Sequence, residues 1–190
     1  SDDFVSTVSG LSPGTKYYLR AYATNSIGPG YGNEVEFTTY ISPTAVTGDA
    51  TSITKTSVTL NGTINANGQS TDVTFEYGLT ASYGTGITAI QSPVTGTASM
   101  YVSANISGLS EGKVYHFRIK AVNSGGTTYG DDKIFTTLCN PPTAISELAT
   151  SLSATSATLN GSVNPNNFPT SVAFEYGLTT SYGTVLTASQ

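Results

Sequence analysis

The stretch ATSITKTSVTLNGTINANGQSTDVTFEYGLTASYGT, residues 50–85, decides the fold of this chain. Apolar and polar residues alternate along it, with Leu60 and Ile64 on one face of a first run and Phe75 in a second. This period of two is typical of β-strands that bury one face. Asn67-Gly68 lies between the two runs and is a strong turn signal. The stretch therefore predicts two neighbouring strands and no helix.

The same stretch recurs without a gap as ATSLSATSATLNGSVNPNNFPTSVAFEYGLTTSYGT at residues 149–184. A second pair of matching segments is GLSPGTKYYLRAYATNSIGPGYGNEVEFTT at residues 10–39 and GLSEGKVYHFRIKAVNSGGTTYGDDKIFTT at residues 108–137. Matches of this kind indicate an array of similar structural units. The array divides into the second half of one repeat, one complete repeat and the first half of another: residues 1–40, 41–138 and 139–190.

The complete repeat contains seven short runs of alternating apolar residues, separated by turn signals rich in glycine and asparagine. The longest alternation is Tyr115, Phe117, Ile119 and Ala121. Short strands at this spacing are typical of two antiparallel sheets packed face to face. The sequence therefore predicts an all-β protein of tandem antiparallel β-sandwiches with seven strands in each repeat.

The segment that begins at Leu11 as LSPGTKYYLRAYATN, followed by Phe37-Thr-Thr39, resembles the second half of a fibronectin type III domain. The FEYGLTASYGT segment after Thr74 is similar to the variant found in tandem on secreted and cell-surface bacterial proteins. The resemblance covers essentially the whole chain. It implies immunoglobulin-like sandwiches with strands A, B and E in one sheet and C′, C, F and G in the other. Residues 1–40 would supply strands E, F and G, and residues 139–190 strands A, B, C and C′.

Two structural features follow from this resemblance. Tyr17 and Tyr115 would form a tyrosine corner, in which the phenol hydroxyl bonds back to the backbone near Leu11 or Leu109.

The second feature is a departure from the family, which usually has a tryptophan in the core of strand B where this chain has Gly62 and Gly161. Because a tryptophan-sized hole would be destabilising, another ring should fill it. We expect Tyr83 and Tyr182 or, alternatively, Tyr77 and Tyr176 to do so.

Composition excludes several classes of function. Only 10% of residues are charged, and the net charge is −5, so we expect neither a nucleic-acid partner nor a membrane-surface partner. No apolar run approaches the ~20 residues of a membrane span. The chain has a single Cys and a single His, which argues against a zinc site built from several thiolates and against histidine-based catalysis. We therefore predict no enzymatic activity, no cofactor and no metal site. His116 and the Asp131-Asp132 pair are interpreted as solvated strand residues.

Half a sandwich would expose an apolar core face and an open strand edge. Each half supplies the strands that the other lacks, and the linkers to the complete repeat are short. We therefore expect the halves to meet between copies of the chain, head to tail, or to meet adjoining repeats in a continuous array. Arg20 should then pair with Glu175, as Arg118 should pair with Glu76 in the complete repeat. The expected interface residues are Phe4, Val8, Leu11, Tyr17, Leu19, Arg20, Leu159, Val163, Val172, Phe174, Glu175 and Tyr176.

The leading interpretation of function is a structural repeat module of an extracellular or cell-surface bacterial fibre, stalk or adhesin. Two alternatives remain open. Tyr18, Tyr22 and Tyr31 could form an aromatic platform that binds glycan, or a surface could bind another protein. The repeats could also be a non-catalytic spacer in a secreted hydrolase.

Overall fold

A computed structural model describes residues 3–188, and every element in it is a β-strand. The chain divides into two compact units, one that extends to Leu138 and one that begins at Cys139. The strands are β1 (Lys16–Leu19), β2 (Tyr22–Asn25), β3 (Gly28–Tyr31), β4 (Val35–Thr38), β5 (Thr44–Thr47), β6 (Ser57–Asn65), β7 (Asp72–Gly78), β8 (Thr85–Thr88), β9 (Ser99–Ser107), β10 (Val114–Asn123), β11 (Gly126–Tyr129), β12 (Lys133–Thr136), β13 (Thr143–Thr150), β14 (Thr158–Asn164), β15 (Ala173–Tyr176) and β16 (Thr184–Thr187).

Strands β5 to β12 form an antiparallel β-sandwich, which confirms the predicted fold class. One sheet has the order β5-β6-β9. In the other sheet β10 lies between β7 and the last strand of the repeat, and β8 forms the edge beyond β7. That last strand is present as two pieces, β11 and β12, which both pair with β10. This arrangement gives the sheets A-B-E and C′-C-F-G.

The core of the sandwich comes from the residues that alternate inward on both sheets. Strand β6 is buried at every second position, as the period of two predicts. Phe75 on β7 and Phe117 on β10 are fully buried, together with Leu60 on β6. Side chains from the two inner faces therefore pack into one apolar cluster, which is the usual source of stability in a sandwich.

Gly62 does not leave a hole, but the side chain that covers it differs from the expected tyrosines. An added Cβ at Gly62 would lie 2.7 Å from Ile119 Cδ1 and 2.9 Å from the Val46 carbonyl oxygen. Ile119 therefore occupies the space above the glycine, and Phe75 lies next to it at 3.6 Å. The expectation that Tyr83 enters the core was wrong, because its ring lies on the outer face of the sheet against Arg118. Tyr77, the alternative, is half-buried and packs against the core, but Ile119 and the Val46 carbonyl lie closest to Gly62.

Residues 3–40 form two small antiparallel strand pairs, β1 with β4 and the hairpin of β2 with β3. They correspond in sequence to β10, β11 and β12 of the complete repeat. Residues 3–9, which correspond to β9, form no strand. In the complete repeat β9 pairs only with β6, so this segment needs a β6-like partner to form a ladder.

The second unit consists of two hairpins, β13 with β14 and β15 with β16. They correspond to β5 with β6 and β7 with β8. The hairpin registers match as well: Phe174 lies opposite Leu186, as Phe75 lies opposite Ile87. The local strand pairing of the first half of a repeat is therefore present in this unit by itself.

Candidate functional site

The outer face of the β8-β7-β10-β11 sheet carries a cluster of charged and aromatic side chains around Arg118. Arg118 on β10 lies directly opposite Glu76 on β7. Its Nε donates a hydrogen bond to Glu76 Oε2 at 2.9 Å, and Nη2 lies 2.8 Å from the same oxygen. The ion pair predicted between these strands is therefore confirmed. Lys120 Nζ lies 3.7 Å from the other carboxylate oxygen, so Glu76 faces two cations.

Two tyrosine rings enclose the Arg118 guanidinium. The guanidinium carbon lies 4.0 Å from the ring centroid of Tyr129 on β11 and 4.6 Å from that of Tyr83, which follows β7. Both distances are within the range of cation–π attraction. We call Tyr83, Arg118, Tyr129 and Glu76 the arginine clamp. It joins three segments of the outer face through a single side chain.

The turn between β7 and β8 fixes the position of the Tyr83 ring. Tyr83 has a positive φ of 60°, in the left-handed region that few side chains adopt, and Gly84 follows it. An added Cβ at Gly78 would collide with the Tyr83 carbonyl, so the turn requires glycine there. The repeated YGLTxSYGT pattern thus specifies a tight turn that holds the ring against the sheet.

Asp132 joins the clamp to His116. The Tyr83 hydroxyl donates a hydrogen bond to Asp132 Oδ1 at 2.9 Å, and His116 Nδ1 lies 2.8 Å from Oδ2. His116 and Asp132 lie on the outer face and are partly exposed to solvent, as expected, but the contact between them was not predicted. Alternation alone could not predict this contact, because Asp132 lies in the break between β11 and β12.

The environment of the clamp shifts two pKa values. Burial and then the hydrogen bond to Asp132 raise the pKa of the Tyr83 phenol, because both disfavour the phenolate. Burial lowers the pKa of Arg118, but the hydrogen bond and negative charge of Glu76 outweigh it, and the net pKa is raised. Both shifts favour the protonated forms that the clamp uses.

An open groove of about 530 Å³ lies on the outer face over β7, β8 and β10, and Glu76, Tyr83 and Arg118 of the clamp line it. Serine and threonine hydroxyl groups and the Lys120 ammonium line the rest. These groups can donate and accept hydrogen bonds but include no nucleophile paired with a base. Among residues 3–188, no group of three or more His, Cys, Asp or Glu side chains could hold a metal ion.

The half-repeats contain separate parts of the same clamp. Arg20, equivalent to Arg118, lies 4.2 Å from the ring centroid of Tyr31, which is equivalent to Tyr129. The second unit contains Glu175 and Tyr182, which are equivalent to Glu76 and Tyr83 and are both exposed. Tyr182 has a φ of 52°, and its turn has the same backbone hydrogen bond as the turn at Tyr83.

Both tyrosine-corner residues form a hydrogen bond to nearby backbone. The Tyr115 hydroxyl accepts from the Ser110 amide at 3.0 Å, and the Tyr17 hydroxyl accepts from the Ser12 amide at 2.8 Å. Each ring also stacks on the phenylalanine directly opposite it on the paired strand, Phe37 on β4 and Phe135 on β12. This corner is therefore formed in the half-repeat as well as in the complete repeat.

The remaining expected interface residues lie on the two open faces of the half-repeats. Phe4, Val8 and Leu19 of the first half are exposed, whereas Leu11 and Tyr17 are half-buried. In the second unit a groove of about 390 Å³, lined by both polar and apolar residues, lies between the two hairpins. The expected residues that line it are Leu159, Val163, Val172 and Phe174. Tyr176 is exposed.

Comparison with known proteins gives distant similarities. No family model matches the chain. A receptor-type tyrosine-protein phosphatase eta of Gallus gallus is 30% identical over 165 residues, which cover 86% of this chain. The chain spans only 11% of the length of that relative.

Solved structures similar to the chain include two sets of fibronectin type III domains and a bacterial domain. A fibronectin type III domain from the human KIAA0970 protein is 19% identical, with a TM-score of 0.34, and covers 51% of this chain and 75% of its own. The fibronectin domains of chicken CNTN1 are 15% identical, with a TM-score of 0.36, and cover 68% and 45%. The sensor domain of the anti-sigma factor RsgI4 from Pseudobacteroides cellulosolvens is 21% identical, with a TM-score of 0.40, and covers 50% and 94%. None of residues 3–188 forms a helix that could cross a membrane.

Proposed function

We propose that this chain is a non-enzymatic structural module of an extracellular bacterial fibre, stalk or adhesin, whose half-repeats pair head to tail. The pairing partner is a second copy of the chain or, in a longer protein, an adjoining repeat. One observation carries the proposal: apolar side chains that are buried in the complete repeat have exposed counterparts in the half-repeats. Phe4 is 76% exposed where its equivalent Val102 is 2% exposed, and Leu19 is 49% exposed where Phe117 is 0% exposed.

The groove in the second unit has the position that the missing strands would occupy. In the complete repeat, β10 packs its inner face against Phe75 and Gly62 through Ile119. The equivalent residues in the second unit, Phe174 and Gly161, line the open groove. The strand that the groove lacks corresponds to β1 and β2 of the first half. Its inward residues would be Tyr17, Leu19 and Ala21.

The joint core would differ in detail from the core of the complete repeat. Leu19 replaces Phe117, and Ala21 replaces Ile119, so the β10-like strand contributes less volume. Phe4 replaces the smaller Val102 from the other sheet. Burial of the apolar side chains would favour the joint, and the conformational entropy lost when two half-domains become ordered would oppose it.

Light scattering and electron microscopy of the purified chain test the proposal. We expect the wild-type chain to form linear polymers, because a head-to-tail contact that does not close on itself produces filaments. Phe174→Asp places a charge in the groove and should abolish the polymers. Far-UV circular dichroism is the control, because the sandwich of residues 44–136 should remain folded in this variant. A wild-type chain that stays monomeric at high concentration contradicts the proposal.

A binding role is the second candidate, and the exposed tyrosines of the first half support it. Tyr18, Tyr22 and Tyr31 are each more than half exposed, and the rings of Tyr22 and Tyr31 lie 6.1 Å apart. Exposed rings of this kind can stack on sugar rings. Binding on a glycan array that disappears in Tyr18→Ala and Tyr22→Ala variants, but persists in Tyr101→Ala, would favour an adhesion module.

A further inference from the structure

We propose that the joint between two copies closes a second arginine clamp, with Arg20 and Tyr31 from one copy and Glu175 and Tyr182 from the next. The inference rests on the proposed head-to-tail pairing and names the polar contact that sets its register. Apolar alternation decides which face of a strand is buried, and a complementary charge pair across the interface helps to fix the register of the strands.

The complete repeat supplies the geometric template. Arg118 receives its carboxylate from β7 and one ring from the turn after β7, whereas its other ring comes from β11. In the half-repeats, the equivalent carboxylate and the ring of the turn belong to the second unit, as Glu175 and Tyr182. The other ring belongs to residues 3–40, as Tyr31. The clamp is therefore divided between the two halves, at the interface that the joint would form.

Each half holds its own part of the clamp in place. Arg20 already stacks on Tyr31 at 4.2 Å and forms no ion pair with any of residues 3–188. The chain has two arginines, Arg20 and Arg118, and they occupy equivalent positions. The turn at Tyr182 has the left-handed backbone and the following glycine of the turn at Tyr83. The Arg20 and Tyr31 contact and the turn at Tyr182 therefore do not have to form anew on association, which reduces that part of the entropic cost.

A hydrogen bond at the edge of the clamp has a counterpart as well. The Tyr83 hydroxyl donates to Asp132, and the residue equivalent to Asp132 in the first half is Glu34. Glu34 is one methylene longer than aspartate and lies in an exposed loop before β4. The Tyr182 hydroxyl of one copy would donate to the Glu34 carboxylate of the next.

Two full-length variants isolate one joint and make its affinity measurable. Phe174→Asp disables the groove but leaves residues 1–40 intact, and Leu19→Asp disables the opposite face. A mixture of the two should stop at a 1:1 complex, whose Kd is obtained by analytical ultracentrifugation. Arg20→Met is then added to the Phe174→Asp variant, and Glu175→Gln is added to the Leu19→Asp variant. The two changes are tested separately and together.

We expect each change to weaken the complex by about tenfold, since either leaves a charged partner without its counterpart. The two changes together should weaken it by little more than one alone, which is the signature of residues in direct contact. Tyr182→Phe should weaken it by about threefold through loss of the bond to Glu34. The matched control is Lys16→Met with Glu36→Gln, an ion pair of 3.0 Å contained within the first half, which should leave the Kd unchanged.

The outcomes separate the two proposals. If the unmodified mixture associates but Arg20→Met and Glu175→Gln have no effect, or have independent multiplicative effects, the clamp is overturned and the head-to-tail joint stands. An equal loss in the Lys16 and Glu36 control also overturns the clamp, because it shows a general charge effect. If the unmodified mixture does not associate at all, both proposals fail.

Discussion

The complete repeat and the half-repeats have the same sequence pattern and the same local contacts, but they differ in how far their apolar side chains are buried. Contacts between residues close in the chain are the same in both: the tyrosine corner at Tyr17 matches the one at Tyr115, and the turn at Tyr182 matches the one at Tyr83. Burial is not the same. Leu19 is half exposed where Phe117 is inaccessible to solvent. Short segments therefore specify hairpins and corners, whereas the apolar core requires the other half of the sandwich.

Strand continuity shows the same difference. Strand β10 runs without a break from Val114 to Asn123, and it pairs with β7 along one side and with β11 and β12 along the other. Its counterpart in the first half is interrupted at Arg20 and Ala21, between β1 and β2. That counterpart has strand partners on one side only, β4 for β1 and β3 for β2. A second partner, on the other side, thus extends a strand that one-sided pairing leaves in two pieces.

The largest expected effect comes from the core of the complete repeat. Phe117→Ala should lower its free energy of unfolding by ~3–5 kcal/mol, because it removes a fully buried ring and leaves a cavity. Leu19→Ala, the matched change in the first half, should leave the unfolding of the complete repeat unchanged. Urea unfolding followed by circular dichroism measures both. A loss below about 1 kcal/mol for Phe117→Ala would contradict the inward orientation of β10.

The tyrosine corner should have a smaller effect. Tyr115→Phe keeps the stacked ring but leaves the Ser110 amide without its acceptor, so the free energy of unfolding should fall by ~1–3 kcal/mol. Tyr17→Phe removes the equivalent hydrogen bond in the first half, where water can replace it. This change should lower the free energy of unfolding of the chain much less. Equal losses in the two variants would show that the corner acts locally and that burial by the second sheet contributes nothing to its strength.

The fold was predictable because its signals are local or periodic. Alternating residues such as Leu60 and Ile64 predicted β6, and Asn67-Gly68 predicted the turn after it. The Arg118 and Glu76 ion pair was predictable too, because both residues face outward on adjacent strands.

The rest of the site depends on contacts that no short segment reveals. Tyr83 was expected to fill the space above Gly62, but the positive φ of its turn directs the ring to the outer face. Ile119 covers the glycine instead, and its reach depends on the distance between the two sheets. Asp132 meets Tyr83 and His116 only because the last strand of the repeat breaks between β11 and β12. The alternating pattern contains no information about that break.

The ion pair in the clamp should contribute modestly. Glu76→Gln should lower the free energy of unfolding of the complete repeat by ~0–1 kcal/mol, because both charged groups remain partly exposed to water. The loss should shrink as the salt concentration rises, since added ions screen the wild-type pair. Urea unfolding at low and high salt measures this. Glu36→Gln is the control in the first half and should not alter the unfolding of the complete repeat at either salt concentration.

The smallest expected effect is confined to alkaline pH and concerns the Tyr83 phenol. Burial and the hydrogen bond to Asp132 raise its pKa above the ordinary value of 10.0. Because the folded state binds this proton more tightly than the unfolded state, the stabilisation is fully present below pH 10.0 and is lost as the pH rises through the raised pKa. The stability of the wild-type chain should therefore fall over this range, and Tyr83→Phe should lack that component of the fall. Ultraviolet difference titration between the two proteins isolates the phenol, and a midpoint at or below 10.0 would contradict the contact between Tyr83 and Asp132.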